Sequence, residues 1–563
     1  MFRILGRLAV LAVAAFVLLA ALPSAPGGLP PLPDGLKTPV RGAIHVHTNR
    51  SDGTSSVNDV LRSAANAGLQ FVIVTDHGDA TRAPDLPDYR NGVLYIDAVE
   101  ISTNNGHLIA LGLPKAPYPL AGEGRDVVED IHRLGGIAIA AHPGSPKPEL
   151  RWTDWETPVD GVEWLNADSE WRDERTWTLA RALVTFPFRP PQALALLLDR
   201  PESVLRQWDS LTQQRRVAAV AASDAHARVG VRSLGEPYDS AGSLHFPSYT
   251  TSFREFSIAL SDTMLTGEAE TDAKRVIEAI GAGHVYSTVD ALGGPAAMRF
   301  VVTSGSRTAS MGEALPVTGP VHLHVDAQAP ADATITLLRD GTSVATARGA
   351  RLDHDAPEQP AVYRVEIGLP NAPGTPPVPW IVSNPVYVGR AGRPIDSPHP
   401  APRSFMTLYD NGPARGWRIE KTDASDAAMD VIGALPGTQL LMRFAISGTA
   451  AASPYVAFVM PATSTIAMYE RLVFSARADR PMRLSVQLRA PGGDGERWRR
   501  SVYLDSTPRT VDVAFDDFRS VGSTTASSPD LAKIDSILFV IDTTNTKTGS
   551  NGQIQIDDIR YAR

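Results

Sequence analysis

The stretch Phe71-Val-Ile-Val-Thr-Asp-His77 joins a continuous apolar run to an acidic residue and a histidine. A short run of β-branched residues is typical of a strand that is buried on both faces. Upstream, Ala43-Ile-His-Val-His47 carries two histidines two residues apart, so on a strand both side chains leave the same face. The segment 57–67 between them has apolar residues at helical spacing. This strand–helix–strand unit predicts parallel pairing.

The same alternation continues to about residue 290. Residues 168–214 have a helical pattern rich in Trp and Leu, and we interpret them as an inserted cap. The repeated order predicts an α/β domain with a parallel sheet, either open or closed into a barrel. Further strands are predicted over residues 94–99, 107–113, 137–141, 161–165 and 217–222, and a further helix over residues 126–134.

Residue types that bind metal ions recur where these predicted strands stop. The carboxyl ends of parallel strands meet at one rim of an α/β domain, where active sites form. Neutral imidazole and carboxylate are ligands of Zn, Mn and Fe, so the sequence predicts a metal site at this rim. The candidate residues are His45, His47, Asp52, Asp76, His77, Glu100, His107, His142, Asp224 and His226.

A single His-x-His pattern is weak support for a metal site. The chain has a second such pattern, His322 and His324, which lacks carboxylates at neighbouring strand ends. We expect these two histidines on the solvent-facing side of a strand. The first set differs because its members occur together in order, each beside an apolar strand.

The ordered motifs H-x-H-T with a downstream Asp, T-D-H, Glu, A-H-P and S-D-A-H resemble the polymerase-and-histidinol-phosphatase (PHP) domain, over residues 41–290. The resemblance implies a distorted seven-stranded β/α barrel that holds two or three divalent metal ions (Zn, Mn or Fe). It implies a first ion bound by His45, His47, Glu100 and Asp224, a second bound by Glu100, His107 and His142, and a third bound by Asp52, His77 and His226. Asp76 is expected to orient a ligand histidine rather than to bind metal.

Two metal ions that share a carboxylate hold a water between them and lower its pKa towards neutrality, which gives a hydroxide nucleophile. Asp224 and Glu100 are therefore the expected catalytic residues, with Asp224 accepting the proton of the water. The leading prediction is hydrolysis of a small phosphate ester. An aryl carbamate, a carboxylic ester or an amide is the alternative substrate. The residues expected to bind substrate are Arg50, Lys147, Asn166 and Arg228.

An exported branch of PHP-like proteins resembles carbaryl (aryl carbamate) hydrolases, and the stretch Pro379–Val388 resembles the end of the β-sandwich in that branch. In the cap region, aromatic residues such as Trp171, Trp177 and Phe186 either line an apolar pocket for an aryl group or form ordinary core. The sequence leaves both readings open.

Composition narrows the class of function. The chain has 563 residues, too many for one hydrophobic core, so several domains are expected. It has no cysteine, which excludes disulfides, thiolate metal sites and cysteine nucleophiles. The net charge of −9, without a basic block, argues against nucleic acid as a partner.

The N-terminal residues differ from the rest of the chain. Arg3 and Arg7 precede an apolar run from Leu8 to Leu22, and small residues and prolines follow. This pattern predicts a signal peptide over residues 1–25 or, if it stays uncleaved, an N-terminal membrane anchor. The expected location is periplasmic or extracellular.

Two all-β domains are predicted after the α/β domain: an Ig-like β-sandwich over residues 295–390 and a jelly-roll β-sandwich over residues 404–563, separated by a Pro-rich linker at 393–403. The last domain resembles carbohydrate-binding modules, with Trp498 or Tyr503 as candidates for stacking on a sugar. A purely structural sandwich is the other reading. A less favoured alternative for the whole chain is an inactive glycan-binding protein of the cell surface.

Overall fold

The structure is a computed structural model of the chain. It describes residues 22–230, 243–261, 264–390, 404–433, 437–449, 452–492, 495–522 and 524–563. The predicted signal segment, residues 1–25, lies almost wholly outside this described part, and so does the predicted linker 393–403. Among the described residues, no helix is both long and apolar enough to cross a membrane.

The chain forms two compact units. Within the described residues, the first unit comprises 22–79, 83–114 and 131–390, and the second comprises 80–82, 115–130 and 404–563. Most of the predicted α/β region and the whole predicted Ig-like region therefore lie in the first unit. The predicted jelly-roll region lies in the second.

The helices of the described chain occur mainly in the first unit, and four of them make up the predicted cap. They are α1 (Val57–Ala67), α2 (Gly124–Arg133), α3 (Ala167–Glu170), α4 (Thr176–Thr185), α5 (Pro190–Ala195), α6 (Glu202–Thr212), α7 (Tyr249–Ser252), α8 (Ala269–Ala282) and α9 (Asp290–Gly293).

Helix α1 shows how local sequence sets an element. The Ser56 side chain accepts a hydrogen bond from the Asp59 N–H at the start of the helix, and Gly68 ends it in the left-handed conformation with φ 77°. Val57, Val60, Leu61 and Ala64 are buried on one face. The bounds agree with the sequence prediction because capping, spacing and the C-terminal glycine all point to the same residues.

The strands of the first unit include those that position the candidate site. They are β1 (Val40–Ala43), β2 (Phe71–Val74), β3 (Asp88–Arg90), β4 (Val93–Asp97), β5 (Val99–Thr103), β6 (Gly106–Leu111), β7 (Ile137–Ala140), β8 (Gly161–Asn166), β9 (Ala218–Ala222), β10 (Val229–Gly230), β11 (Ser243–Leu244), β12 (Ser257–Leu260), β13 (Val285–Thr288), β14 (Met298–Ser304), β15 (Arg307–Ser310), β16 (Ala314–Leu315), β17 (Val321–Ala327), β18 (Thr334–Arg339), β19 (Thr342–Arg348), β20 (Arg351–Ala356), β21 (Ala361–Gly368), β22 (Ile381–Ser383) and β23 (Val386–Val388).

The α/β part is mixed rather than built on purely parallel sheet. Strands β1, β2 and β4 pair in parallel, and so do β7, β8 and β9. In contrast, β5, β6 and β7 pair antiparallel, as do β1, β12 and β13. Only two residues separate Thr103 from Gly106, too few for the crossover that a parallel pair needs.

Two isolated bridges connect the ends of strands from different sheets. Val46 pairs in parallel with Ala225, and His77 pairs in parallel with Glu100. These bridges lie just beyond β1, β2 and β9 and at the start of β5. They bring the segments that carry the candidate metal ligands together.

The first His-x-His pattern follows a strand instead of lying on it. Strand β1 ends at Ala43, and His45 has φ 62°, which extended chain does not tolerate. The sequence prediction of a strand through His47 is wrong in this respect. Both His45 and His47 are nevertheless fully buried.

The sheet of the first unit continues across the predicted domain boundary near residues 291–295. Strand β13 pairs with β22, with Tyr286 opposite Ser383. Strands β22, β21, β23, β16, β18 and β19 belong to the same twelve-stranded sheet, and β15, β14, β17 and β20 form a second, antiparallel sheet. His322 and His324 lie on the outer face of β17, between buried residues, as predicted.

The second unit consists mainly of antiparallel sheet. Its strands are β24 (Phe405–Tyr409), β25 (Arg418–Lys421), β26 (Asp426–Ile432), β27 (Gln439–Ala445), β28 (Tyr455–Pro461), β29 (Arg471–Ala478), β30 (Met482–Arg489), β31 (Arg497–Leu504), β32 (Arg509–Ala514), β33 (Arg519–Ser520), β34 (Ser536–Asp542) and β35 (Asn551–Ala562).

These strands form two six-stranded sheets, one in the order β26-β27-β35-β29-β32 with β24 beside β35, and one in the order β25-β28-β34-β30-β31-β33. Apolar side chains from both sheets, such as Phe474 and Phe539, share one buried core. The C-terminal region is therefore rich in β-sandwich structure, as the sequence predicts.

Candidate metal centre

The candidate ligands reach one place in the first unit by two routes. His77, His142, Asp224 and His226 follow the ends of strands β2, β7 and β9, as the sequence predicts. His45 and His47 follow the end of β1 instead of lying on it, and Asp52 lies in the loop after them. Glu100 and His107 arrive differently. They are the second residues of β5 and β6, which form a hairpin, so neither stands at the carboxyl end of a parallel strand.

Three of these residues have strained backbone. His45, His142 and Asp224 have φ values of 62°, 30° and 43°, in a region that residues with a Cβ rarely adopt. Each such backbone conformation costs the folded state on the order of 1–3 kcal/mol and is retained only where the surrounding structure holds the residue in place. Backbone strain is thus concentrated on residues whose side chains could bind metal, which makes this cluster the candidate functional site.

Glu100 lies at the middle of the cluster and is 1% exposed. Its two carboxylate oxygens divide the surrounding histidines between them. Oε2 lies 3.2 Å from His45 Nε2, 3.3 Å from His47 Nε2 and 3.2 Å from His77 Nδ1. Oε1 lies 2.7 Å from His107 Nδ1 and 2.9 Å from His142 Nε2. One carboxylate therefore contacts five imidazoles, an arrangement suited to bridging two ions.

Asp224 and Asp52 complete the cluster. Asp224 Oδ1 lies 3.3 Å from both His45 Nε2 and His47 Nε2. Asp52 Oδ2 lies 3.2 Å from His226 Nε2, and Asp52 Oδ1 lies 3.4 Å from His47 Nδ1. His47 therefore stands between the two aspartates.

The nine predicted ligands come together in four overlapping groups, in each of which the ligand atoms lie within 4.8 Å of one another. The groups are His45, His47 and Asp224; His45, Glu100 and His142; His77, Glu100 and His107; and His47, Asp52, His77 and His226. The first and last groups correspond closely to two of the ligand sets that the PHP resemblance implies. The set expected for the second ion is divided between the other two groups, which share Glu100.

Charges in the cluster compensate one another. Burial opposes ionisation of Glu100, but His77, His45 and His107 outweigh it and hold the pKa of the carboxyl well below its usual range. Burial likewise opposes protonation of His47, yet the carboxylates of Asp224 and Glu100 raise its pKa to about 10.

His77 behaves in the opposite way. Burial lowers its pKa to about 4 despite the nearby charge of Glu100. A neutral imidazole is the form that binds metal.

Three buried atoms at the centre have no hydrogen-bond partner in the described part of the chain. They are His45 Nε2, His47 Nε2 and Glu100 Oε2. Buried polar atoms are normally paired, and exceptions need an explanation. A divalent cation coordinated by the two nitrogens and the carboxylate oxygen would satisfy all three, so the residues present fit a metal ion.

A residue that sequence reasoning missed holds two of the ligands in place. Glu163, on β8, is fully enclosed, and its Oε1 lies 2.6 Å from His45 Nδ1. Its Oε2 accepts hydrogen bonds from the His142 backbone N–H at 2.7 Å and from Asn166 Nδ2 at 2.8 Å. The available signal was an acidic residue inside the apolar run of a buried strand.

Asp76 acts on a loop instead of on a histidine. Its carboxylate accepts hydrogen bonds from the Thr48 backbone N–H at 2.7 Å, the Thr48 hydroxyl at 2.6 Å and the Ser51 hydroxyl at 2.7 Å. Among the described residues these hydrogen bonds do not include one to an imidazole. Asp76 therefore positions the loop between His47 and Asp52.

The four predicted substrate-binding residues have different surroundings. Asn166 reaches the centre, with Nδ2 at 3.3 Å from Asp224 Oδ2, and Arg228 donates to Asp52 Oδ2 at 2.7 Å. Lys147 is half-buried in the turn that follows His142.

Arg50 is engaged away from the cluster. It forms an ion pair with Asp85 and donates to the Tyr95 hydroxyl at 2.9 Å. Its predicted role of presenting free positive charge to a substrate is therefore not supported by the side-chain placement.

The comparisons with known proteins add little to this geometry. No family model matches the chain. An uncharacterized protein of Methanocaldococcus jannaschii is 29% identical over 143 residues, which cover 23% of this chain and 82% of that protein.

Solved structures similar to part of the chain include carbohydrate-binding modules. A family 11 module of a cellulosomal cellulase of Clostridium thermocellum gives a TM-score of 0.24 at 17% identity, covering 28% of this chain and 94% of the module. An exo-beta-agarase gives a TM-score of 0.20 at 12% identity, covering 27% of this chain and 25% of that chain.

The two predicted sugar-stacking residues of the second unit are not equivalent. Trp498 is 2% exposed and donates its Nε1–H to the Ala526 carbonyl, so it is a core residue and the prediction is wrong for it. Tyr503 is half-buried, with the guanidinium of Arg509 over its ring at 4.9 Å. A glycan partner for this unit stays a prediction.

Proposed function

We propose that the chain is an exported metal-dependent hydrolase with a PHP-like centre, and that its substrate is a small phosphate ester. The observation that carries the proposal is the convergence on Glu100 of buried histidine nitrogens, two of which lack a hydrogen-bond partner among the described residues. A protein interior does not retain such atoms without a compensating group.

The proposed fold of the α/β part is a barrel. Strands β1, β2, β5, β6, β7, β8 and β9 would form a distorted seven-stranded barrel, closed at the Val46–Ala225 and His77–Glu100 bridges. Closure at these two bridges is what would hold the strand ends, and with them the ligands, at one rim.

Each ligand has a defined place in this proposal. His45, His47, Glu100 and Asp224 would bind one ion, Glu100 with His107 and His142 a second, and Asp52, His77 and His226 a third. Bound ions would supply an activated hydroxide and positive charge at the reacting oxygen.

Residues of the chain would move the proton, orient the substrate and offer positive charge to it. Asp224, beside His45 and His47, would accept the proton of the attacking water. Asn166, within 3.3 Å of Asp224, would orient that carboxylate or the substrate. Arg228 would offer positive charge to a phosphate oxygen on the side of Asp52.

A second candidate is hydrolysis of an uncharged substrate, namely an aryl carbamate, a carboxylic ester or an amide. The placement of the arginines favours it. Arg50 is held by Asp85 away from the cluster, so of the two predicted arginines Arg228 alone, itself paired with Asp52, lies beside the candidate ligands. An uncharged substrate would not need the second positive group.

The experiment that tests the proposal uses the full chain loaded separately with Mn, Zn and Fe. Each preparation is assayed on an aryl phosphate monoester, an aryl phosphate diester and an aryl carbamate, with Glu100→Gln as the inactive reference. Turnover of a phosphate ester supports the leading function. Turnover of the carbamate alone replaces it with the second candidate.

The chain offers a matched control. Replacing both His45 and His47 by Ala should lower turnover to the level of Glu100→Gln. The same double replacement at His322 and His324, which pair with Asp355 and Asp353 on a partly exposed sheet face, should leave turnover unchanged. Absence of turnover with every metal and substrate, in protein that has bound metal, would overturn the proposal.

A further inference from the structure

A cavity of about 300 Å³ lies between the cap helices α3–α5 and the loop of residues 223–228. Its volume is at the lower end of the range for small-molecule sites, about 300–1,000 Å³. Most of the wall is apolar. The apolar lining from the cap comprises Leu179, Ala182, Phe186, Leu194, Leu197 and Leu198.

The opposite wall belongs to the candidate metal centre. Asp224, His226 and Arg228 line the cavity directly. A substrate whose reacting bond lies at Asp224 would therefore have the neighbouring part of its structure inside this cavity. That part must be largely apolar to match the cap, because an apolar wall stabilises only groups that gain from leaving water.

The structure separates the cap aromatics into two kinds. Trp171 and Phe186 line the cavity, and the Phe186 ring lies 4.1 Å from the ring of Phe246, which is also part of the lining. Trp177 is 80% exposed and lies outside the lining. Flat aromatic walls favour a planar ring as occupant.

One polar group interrupts the apolar lining without a partner. Glu255 is 3% exposed and lines the cavity, yet its carboxyl makes neither a hydrogen bond nor an ion pair with any residue in the described part of the chain. Burial raises the pKa of this carboxyl to about 8. Asp168, the acidic residue that the cap contributes to the lining, is already paired with Arg172 and with the Trp171 indole N–H.

We propose that this cavity binds a planar apolar ring of the substrate and that Glu255 selects for an N–H or O–H donor on that ring. A carboxyl oxygen accepts a hydrogen bond whether the group is ionised or neutral, so a donor on the ligand complements Glu255 in either state. The inference rests on the proposed function only in placing the reacting bond beside Asp224.

Indole and indene are matched probes, because they have nearly the same size and only indole carries an N–H. Their affinities are measured by calorimetry on the full chain after treatment with a chelator, so binding does not depend on turnover. We expect indole to bind about fivefold to tenfold more tightly than indene, the effect of one buried hydrogen bond. Glu255→Leu should remove this preference, and Glu255→Gln, which keeps an acceptor oxygen, should retain it.

Two substitutions on helix α4 test whether the probes bind in this cavity. Ala182→Trp, which fills the cavity, should weaken both probes about tenfold or more, whereas Val184→Trp, two residues away and 55% exposed, should change neither. Binding that survives Ala182→Trp, equal affinity of the wild type for the two probes, or no binding of either probe overturns the inference. Binding as expected in a protein without hydrolytic activity would instead reject the proposed function and leave the cavity assignment standing.

Discussion

Glu163 Oε1 lies 2.6 Å from His45 Nδ1, and this contact decides which side of the His45 ring faces the other candidate ligands. A carboxylate at Nδ1 favours the proton there, so a neutral His45 presents the lone pair of Nε2. That nitrogen lies 3.2 Å from Glu100 Oε2 and 3.3 Å from Asp224 Oδ1. Glu163 thus orients a candidate ligand and is not itself one of the four groups of candidate ligands.

Glu163→Gln should weaken metal binding about tenfold to a hundredfold, the usual cost of losing a group that orients a ligand. The substitution keeps the shape but removes the charge that holds the His45 ring. Metal affinity is measured by titration in a metal buffer, with circular dichroism to verify the fold. Glu149→Gln, at an exposed position in the turn after His142, is the control and should bind metal as the wild type does. Equal affinities for all three proteins would show that Glu163 does not position His45.

Replacing Asp76 should affect one of the four groups of candidate ligands more than the other three. Its carboxylate holds Thr48 and Ser51, and so positions the loop that carries Asp52. The hydrogen bond between Asp76 and Glu100 runs from the Glu100 backbone N–H to the Asp76 backbone carbonyl, which a change of the Asp76 side chain leaves in place. Asp76→Asn should therefore lower occupancy at the group of His47, Asp52, His77 and His226 more than at the groups centred on Glu100.

The measurement for Asp76→Asn is metal content per chain by mass spectrometry after dialysis against a limiting concentration of chelator. We expect the variant to retain about one ion fewer than the wild type. Loss of all bound metal, or of none, would contradict the role assigned to Asp76.

How far the sequence predicts this site depends on how local each feature is. Helix α1 and strands β2, β7 and β8 agree closely with their predicted bounds, because apolar spacing and caps are properties of neighbouring residues. The same reasoning finds the candidate ligands that follow β2, β7 and β9, since these strand ends can be read from short segments. The end of β1 is different, because the predicted strand runs on through His47 whereas the strand of the structure ends at Ala43.

The features that the sequence did not predict depend on distant partners. The orientation of Arg50 is set by Asp85, far along the chain, and no local pattern indicates that pair. Glu163 becomes meaningful only when His45 and His142 are known to surround it. The hairpin of β5 and β6 did carry a local signal, the short Asn104-Asn105 turn, which favours antiparallel pairing over a parallel crossover.

Glu255 predicts a pH dependence of stability. Its pKa is raised to about 8 in the folded chain from an ordinary value near 4.5, so between these pH values the folded state holds a proton that the unfolded state has lost. The free energy of unfolding should fall as pH rises through this window, by up to about 1.4 kcal/mol per pH unit, and this contribution should be constant above it.

Glu255→Gln removes this ionisation and should be increasingly more stable than the wild type from pH 5 to pH 8. Thermal midpoints of both proteins at each pH test the prediction. Glu278→Gln, on the exposed face of α8, is the control and should follow the wild type at every pH. Parallel curves for Glu255→Gln and the wild type would mean that Glu255 ionises normally.

Replacement of Arg483, a buried cation of the second unit, should strongly reduce stability. Its side chain is 1% exposed and donates to Asp130 Oδ2 at 2.8 Å and to the carbonyls of Asp126 and Ser501. Arg483→Met would break the buried ion pair with Asp130, and breaking such a pair by removing one partner costs about 3–5 kcal/mol. The Arg480 side chain is 51% exposed and pairs with Asp479, so Arg480→Ala should lower the free energy of unfolding by at most about 1 kcal/mol. Urea unfolding measures both changes. Adding Asp130→Leu to Arg483→Met should recover part of the lost stability, because it removes the second charge of the broken ion pair. If no stability is recovered, the loss comes from packing around Arg483.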